Sequence, residues 1–248
     1  MRLTILGSGT CVPSLKRNAP SNYLKIGDKQ ILVDCGSGTL LQLEKANLSY
    51  KEIDIVCISH YHTDHISDFN ALIQALNWTP GFDRKKELIL IGPVGFKEFY
   101  ESYLKPISGT PRPDTYEIII KEIDDEIEFS NFTINSYKTN HNADSIAYKF
   151  SEEEKTVVIS GDTDFDENLI GFVQNSDVLI LDCSHPNNQK VSGHLVPKEC
   201  GEIAKKASVK KLVLSHLYPT LSEEIRLIET KEIFSNTILA EDLMNLDV

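Results

Sequence analysis

The amino-acid sequence predicts a mixed α/β fold in which two mixed β-sheets pack face to face under a cover of helices. Three observations predict it. Short β-branched runs bounded by Gly, Asp and Ser recur along the chain, helix-length segments alternate with them, and several neighbouring runs lie close enough to pair as hairpins. The 248 residues, 41% hydrophobic and 25% charged, can bury a sizeable core. With no Pro/Gly/Ser-rich linker dividing it, the chain reads as one domain over residues 1–248.

In the first half, strands are expected at Leu3 to Leu6, Tyr23 to Ile26, Ile31 to Val33, Ile53 to Ile58 and Leu88 to Ile91. Helices are expected at Thr39 to Ala46, at Ile66 to Trp78, and at Val94 to Leu104 after a G-P break. In the second half, strands are expected at Tyr116 to Ile120, Phe132 to Tyr137, Ile146 to Phe150, Val157 to Ile159, Val178 to Leu181 and Leu212 to Leu214. Helices follow at Asp166 to Val173, at Pro197 to Ala207 with Pro at the first helical position, and at Ser222 to Lys231 behind a serine cap. The acidic segments Glu122 to Glu128 and Glu152 to Lys155 read as solvated turns. Two G-S-G-T turns, at Gly7 and Gly36, lack the third glycine of a dinucleotide cradle.

Composition excludes several function classes. No apolar run is long enough to span a membrane, and the N-terminal apolar stretch is too short for a signal peptide. Five scattered cysteines with no C-x-x-C pair read as reduced thiols, so a cytoplasmic location is expected. A net charge of −12 opposes long-range attraction to nucleic acid and weakens an RNA-binding reading.

The stretch S-H-Y-H-T-D-H-I-S-D, Ser59 to Asp68, concentrates three of the seven histidines with two aspartates. Imidazole and carboxylate together suit a divalent ion, Zn²⁺ first, with Mn²⁺ and Fe²⁺ as competitors. In an extended run His60, His62 and Asp64 face one side and His65 the other, so a single ion does not easily hold all four. If the chain turns into a helix near Thr63, His60 and His62 can grip one ion while Asp64 and His65 reach a second. Further candidates share a pattern with His60, an apolar run followed by a ligand-type side chain: His141, Asp162 in V-V-I-S-G-D-T, and His216 in L-V-L-S-H-L-Y-P.

Taken together, H-Y-H-T-D-H, His141, G-D-T at Asp162 and S-H-L at His216 resemble the metal signature of the metallo-β-lactamase superfamily. The resemblance implies an αββα sandwich with a dinuclear site. One ion would be held by His60, His62 and His141, the other by Asp64, His65 and His216, with Asp162 bridging. Asp34 in V-D-C-G-S-G resembles a structural residue that braces the metal loop. Metal-bound water acidified toward neutrality would supply a hydroxide nucleophile.

Within the superfamily the chain resembles the branch containing the transfer-RNA 3′-end ribonuclease, ribonuclease Z, and small phosphodiesterases. His194, ahead of the predicted helix at Pro197, matches that branch's His-Ser-Thr element, whereas Leu195 and Val196 replace its two hydroxyl residues. The resemblance implies a proton-donating role for His194 and a second role for Asp64, orienting or deprotonating the nucleophile. His185 has no clear counterpart and reads equally as a supporting residue or a loop histidine. Transfer-RNA enzymes generally carry a long arm between the equivalents of His141 and Asp162, and here only twenty residues separate the two. The loop Lys105 to Pro113 reads as a substrate loop or a rigid connector.

The expected function is therefore a metal-dependent phosphodiesterase acting on a small or single-stranded phosphodiester, such as a cyclic nucleotide. The alternatives are RNA 3′-end processing, lactone or thioester hydrolysis, and a non-catalytic metal- or nucleic-acid-binding module. The partner expected is a small-molecule or short nucleotide substrate rather than transfer RNA or a membrane, and a homodimer is compatible with the sequence.

Overall fold

β-Branched runs need neighbours for their backbone and cover for both faces, and two sheets sandwiched between helices supply both. The computed structural model of the chain describes residues 1–111, 115–219 and 223–248. The first half contains β1 (Arg2–Gly7), β2 (Ser21–Ile26), β3 (Lys29–Val33), α1 (Thr39–Lys45), β4 (Ile55–Cys57), α2 (Thr63–Ile66), α3 (Phe69–Trp78) and β5 (Leu88–Gly92). It continues with α4 (Phe96–Phe99), a π-helical turn (Tyr100–Leu104), α5 (Lys105–Ser108) and β6 (Ile118–Glu122). The second half contains β7 (Glu126–Glu128), β8 (Thr133–Lys138), β9 (Ile146–Glu152), β10 (Lys155–Ile159), α6 (Glu167–Phe172) and β11 (Val178–Asp182). Then come α7 (Pro197–Lys206), β12 (Lys211–Ser215), α8 (Glu223–Lys231), β13 (Thr237–Leu239) and β14 (Met244–Asp247).

The strands form two sheets of seven, ordered β14-β1-β2-β3-β4-β5-β6 and β13-β12-β11-β10-β9-β8-β7. Each begins as an antiparallel meander and becomes parallel: β3 to β6 in the first sheet, β10 to β13 in the second. Three apolar clusters separate the four layers. Leu24, Val33 and Ile55 meet Tyr148, Phe150 and Val157 between the sheets. Leu32, Val56 and Leu90 pack under Leu43, Phe69 and Leu72 on one outer face. Leu179, Leu181 and Leu212 pack under Leu169, Ile203 and Ala204 on the other. The αββα expectation is met.

Several elements depart from the sequence reading. Within the acidic segment Glu122 to Glu128, Glu126–Glu128 is strand β7, paired antiparallel with β8. Ile127 tucks against the inter-sheet core while its glutamate neighbours stay exposed, a charged edge strand. β13 and β14 were not expected, because three or four residues are too few to display a period. The helix expected from Ile66 to Trp78 breaks at Ser67 and Asp68. There the β3 end captures the backbone: Cys35 N–H donates to His65 O (2.7 Å) and Asp68 N–H to Cys35 O (2.9 Å). The segment expected as a loop from Lys105 to Pro113 starts as helix α5, which continues the helical run of α4 and the π-helical turn without a break. Residues 112 and 113, and the serine cap expected at Ser222, lie outside the described residues.

Candidate active site

Strand ends deliver the side chains that matter. His60 lies three residues beyond β4, Asp162 three beyond β10, Asp182 ends β11 and His216 follows β12, all at the carboxyl ends of parallel strands. His141 arrives from the end of β8. The H-Y-H-T-D-H segment leaves β4 extended and enters α2 at Thr63 with His62 in a β conformation at the N-cap. That change of direction turns Asp64 and His65 inward beside His60, and all three are buried.

The seven candidate ligands converge around Asp162. Its Oδ2 lies 3.7 Å from Nε2 of both His60 and His141, and its Oδ1 lies 3.3 Å from Nε2 of both His65 and His216. Asp64 Oδ2 closes the second group at 3.5 Å from His216 Nε2. His62 Nδ1 joins the first at 3.2 Å from His141 Nε2. One carboxylate thus faces two donor sets, and within each of the sets His60, His62, His141, Asp162 and Asp64, His65, His216 the ligand atoms lie within 4.8 Å of one another.

The rear nitrogens are anchored, which fixes the rings. His60 Nδ1 meets Ser59 Oγ (3.1 Å), His65 Nδ1 meets Asp34 Oδ2 (2.7 Å), and His216 Nδ1 meets Ser184 Oγ (2.8 Å). His141 Nδ1 donates to Gly193 O (2.8 Å), and Asn142 Nδ2 lies 3.0 Å from His62 Nε2. Asp34 also accepts from Ser59 N–H and Ser59 Oγ, both at 2.8 Å, bracing the loop.

A buried polar atom without a partner is costly. Among the described residues His60 Nε2, His65 Nε2, His216 Nε2 and Asp162 Oδ1 are buried with no hydrogen-bond partner, and all point into the same space. Inward imidazoles and carboxylates left unpaired fit a divalent cation, which would satisfy them at once. Burial, aided by the neighbouring His65, pushes His60 down to about 2, so it is a neutral imidazole as a ligand must be. Burial alone would raise Asp64, but the bond to His216 and the charge of His65 outweigh it and hold the carboxyl at about 2.

His194 stands beside this cluster with its ring stacked on His216 at 5.4 Å and 4.9 Å from His141. Its Nδ1 bonds to Asp182 Oδ2 (2.8 Å). Burial pulls His194 down, yet the Asp182 bond and charge win and raise it. Asp182 was missed in the sequence, although it ends an apolar strand just as the other candidates do. Ser184 Oγ, 2.6 Å from Asp182 Oδ1 and 3.2 Å from His194 Nδ1, supplies a hydroxyl where Leu195 and Val196 cannot. A geometric cluster also joins Asp182 and His194 to Asp162 and His216, but the first two already pair with each other. His185 stacks on Tyr218 (4.7 Å) with His194 at 6.3 Å, at the rim rather than among the converging atoms.

Among the described residues no helix is long and apolar enough to cross a membrane. The ribonuclease Z of Archaeoglobus fulgidus is 28% identical over 307 aligned positions, covering 100% of this chain and 97% of the relative. The metallo-β-lactamase fold protein YhfI from Bacillus subtilis superposes with a TM-score of 0.86 at 27% identity, covering 99% of each chain. Human tRNase Z, short form, shares the fold, with a TM-score of 0.81 at 22% identity over 100% of this chain and 99% of that one. The fold implies divalent metal ions, and the inward donor sets agree with it. The profile of the anti-Pycsar protein Apyc1 family matches residues 1–231. The chain therefore belongs to the anti-Pycsar protein Apyc1 family, as a ribonuclease Z-like, metal-dependent hydrolase of the metallo-β-lactamase superfamily.

Proposed function

We propose that the protein hydrolyses small phosphodiesters, with His194 as proton donor to the departing oxygen. The observation that carries this reading is the His194–Asp182 pair set against the carboxylate and imidazole cluster. Two divalent ions, zinc by donor type, would be held by His60, His62 and His141 on one side and Asp64, His65 and His216 on the other, sharing Asp162. When bound, such ions supply positive charge opposite the phosphoryl oxygens and a water acidified toward neutrality.

The chain's own residues do the rest. Asp64, ionised at neutral pH, accepts a hydrogen bond from the attacking water and orients it. Asp182 keeps the proton of His194 on Nδ1, so a second proton on Nε2 is the one available to the leaving group. The raised affinity of His194 for that proton suits it to an acid role near neutral pH. Ser184 bridges Asp182 and His216, tying the acid to the donor set.

Small substrates are favoured by the short connection between His141 and Asp162. β9 and β10 are joined by a turn at Glu153 and Glu154, with no projecting arm. The alignment with the Archaeoglobus fulgidus relative spans 307 positions against 248 residues here, so that relative carries segments this chain lacks. A second reading, RNA 3′-end processing, is favoured by the ribonuclease Z relatives that match the whole chain. Purified protein tested on bis(p-nitrophenyl) phosphate, cyclic nucleotides, dinucleotides, transfer-RNA precursor and a lactone panel decides between them. Turnover of the small diesters is expected. Cleavage of precursor RNA alone would replace this reading with the second, and turnover of lactones alone would remove both.

A further inference from the structure

The stretch that delivers His194 has little apolar packing of its own. After β11 the chain runs through Asn188, Gln189, Lys190, Val191 and Ser192, all exposed, before it reaches Gly193 and His194. Burial resumes at Leu195 and Val196, ahead of α7. The bond to Asp182 holds the His194 ring from behind, but the backbone that carries the ring needs a restraint as well. A misplacement of about 1 Å in a reacting group can cost roughly 100-fold in rate, so polar contacts must do here what burial does elsewhere.

Two carboxylates hold that backbone on either side. Asp164 Oδ2 accepts from Gly193 N–H (2.8 Å), just before His194, and Glu199 Oε2 accepts from Val196 N–H (3.1 Å), just beyond it. Lys190 Nζ spans both carboxylates, 2.6 Å from Asp164 Oδ1 and 2.5 Å from Glu199 Oε2. Both lie against the same nitrogen, so without its charge they would repel one another and part. The same peptide reaches the donor set. Gly193 O accepts from His141 Nδ1 (2.8 Å), and Asp164 N–H donates to Asn140 O (2.9 Å), closing a ring of hydrogen bonds behind that imidazole. Gly193 has φ +89°, and an added Cβ would lie 2.9 Å from His141 Nδ1, so the turn can press against the ring only as glycine.

We infer that Lys190 is a positioning residue for the hydrolysis: by spanning Asp164 and Glu199 it fixes the backbone on both sides of His194 and, through Gly193, the ring of His141. The inference rests on the phosphodiesterase reading with His194 as proton donor, and adds to it the strap that sets where that donor stands.

Lys190→Met removes the charge and keeps most of the length, whereas Lys190→Arg keeps the charge. A partly exposed ion pair adds little to global stability, so Tm should stay within about 3 °C in both variants. In the zinc-loaded protein, backbone amides of residues 187–196 should exchange with deuterium at least roughly threefold faster in Lys190→Met, and zinc should pass to a chelator about threefold faster or more. Methyl p-nitrophenyl phosphate and methyl phenyl phosphate differ in how much the departing oxygen needs a proton. In Lys190→Met, kcat should fall about tenfold on the phenyl ester and less than about threefold on the nitrophenyl ester, with KM unchanged for both. Lys190→Arg should restore exchange, zinc release and both rates. Unchanged exchange in Lys190→Met, or an equal loss of kcat on the two esters, would overturn the strap and leave the phosphodiesterase reading standing. Faster exchange and zinc release in Lys190→Met, with neither ester hydrolysed by the parent protein, would uphold the strap and overturn the phosphodiesterase reading.

Discussion

Two side chains carry most of the chemical argument, and each has its own test. His194→Ala should keep the metal content and lower kcat by roughly 10²–10⁴-fold, the scale of general acid catalysis. The loss should shrink on esters whose leaving group needs no proton, which pre-steady-state and steady-state rates on nitrophenyl and alkyl esters will show. Asp162, whose two oxygens face different donor sets, should matter to both ions. Elemental analysis of protein purified without chelator should find about two equivalents of metal, and Asp162→Ala should retain one or fewer. Two full equivalents in that variant would remove Asp162 from the bridging position. At this scale the sequence was informative because ligand chemistry restricts residue type: the seven side chains proposed from H-Y-H-T-D-H, His141, Asp162 and His216 do converge. Asp182, Ser184 and Asn142 escaped because a hydrogen-bonding support can be any polar residue, and only the third dimension reveals which ones touch.

Elements set how firmly those side chains are held. Gly36 sits where an added Cβ would lie 2.0 Å from Asp64 O and 2.8 Å from the Ala19 methyl, so the loop after β3 can clasp α2 only without a side chain. Gly36→Ala should cost about 1–3 kcal/mol in chemical denaturation and displace Asp64, lowering kcat as well. A second clasp joins the loop after β1 to α8 through Arg17, Lys16 and Glu223. The bonded Arg17 holds Glu223 at about 2, below the ordinary carboxylate range. The folded form thus binds this proton more weakly than the unfolded chain does. The clasp stabilises fully above about pH 4.5, and its contribution is lost as pH falls through about 2. The Tm difference between the protein and Glu223→Gln should therefore narrow on acidification below pH 4. Long periodic elements such as β1, β9, α1 and α7 were readable within a few residues. The short β7, β13 and β14 were not, since pairing partners rather than local pattern make them strands.

The two sheets share one pairing scheme, a meander followed by parallel strands, although no residue repeat links the halves. Composition fixed the class of molecule, a globular core with excess acid, but substrate size depends on loops and cavities that composition does not describe. At this scale the prediction is that kcat/KM for small diesters exceeds that for a transfer-RNA precursor at physiological salt. Large RNA needs remote contacts, and a net charge of −12 opposes its approach. Preferential cutting of the RNA would reverse this. The division of the donor set between sheets reaches into biosynthesis. His60, His62, Asp64 and His65 emerge from the ribosome early, whereas His141, Asp162 and His216 come from strand ends of the second sheet. A chain that has formed only the first sheet holds half a chelate with nothing to close it, so the full constellation exists only once both sheets have formed and docked. Ions held by both donor sets would therefore stabilise only chains in which the two sheets have docked.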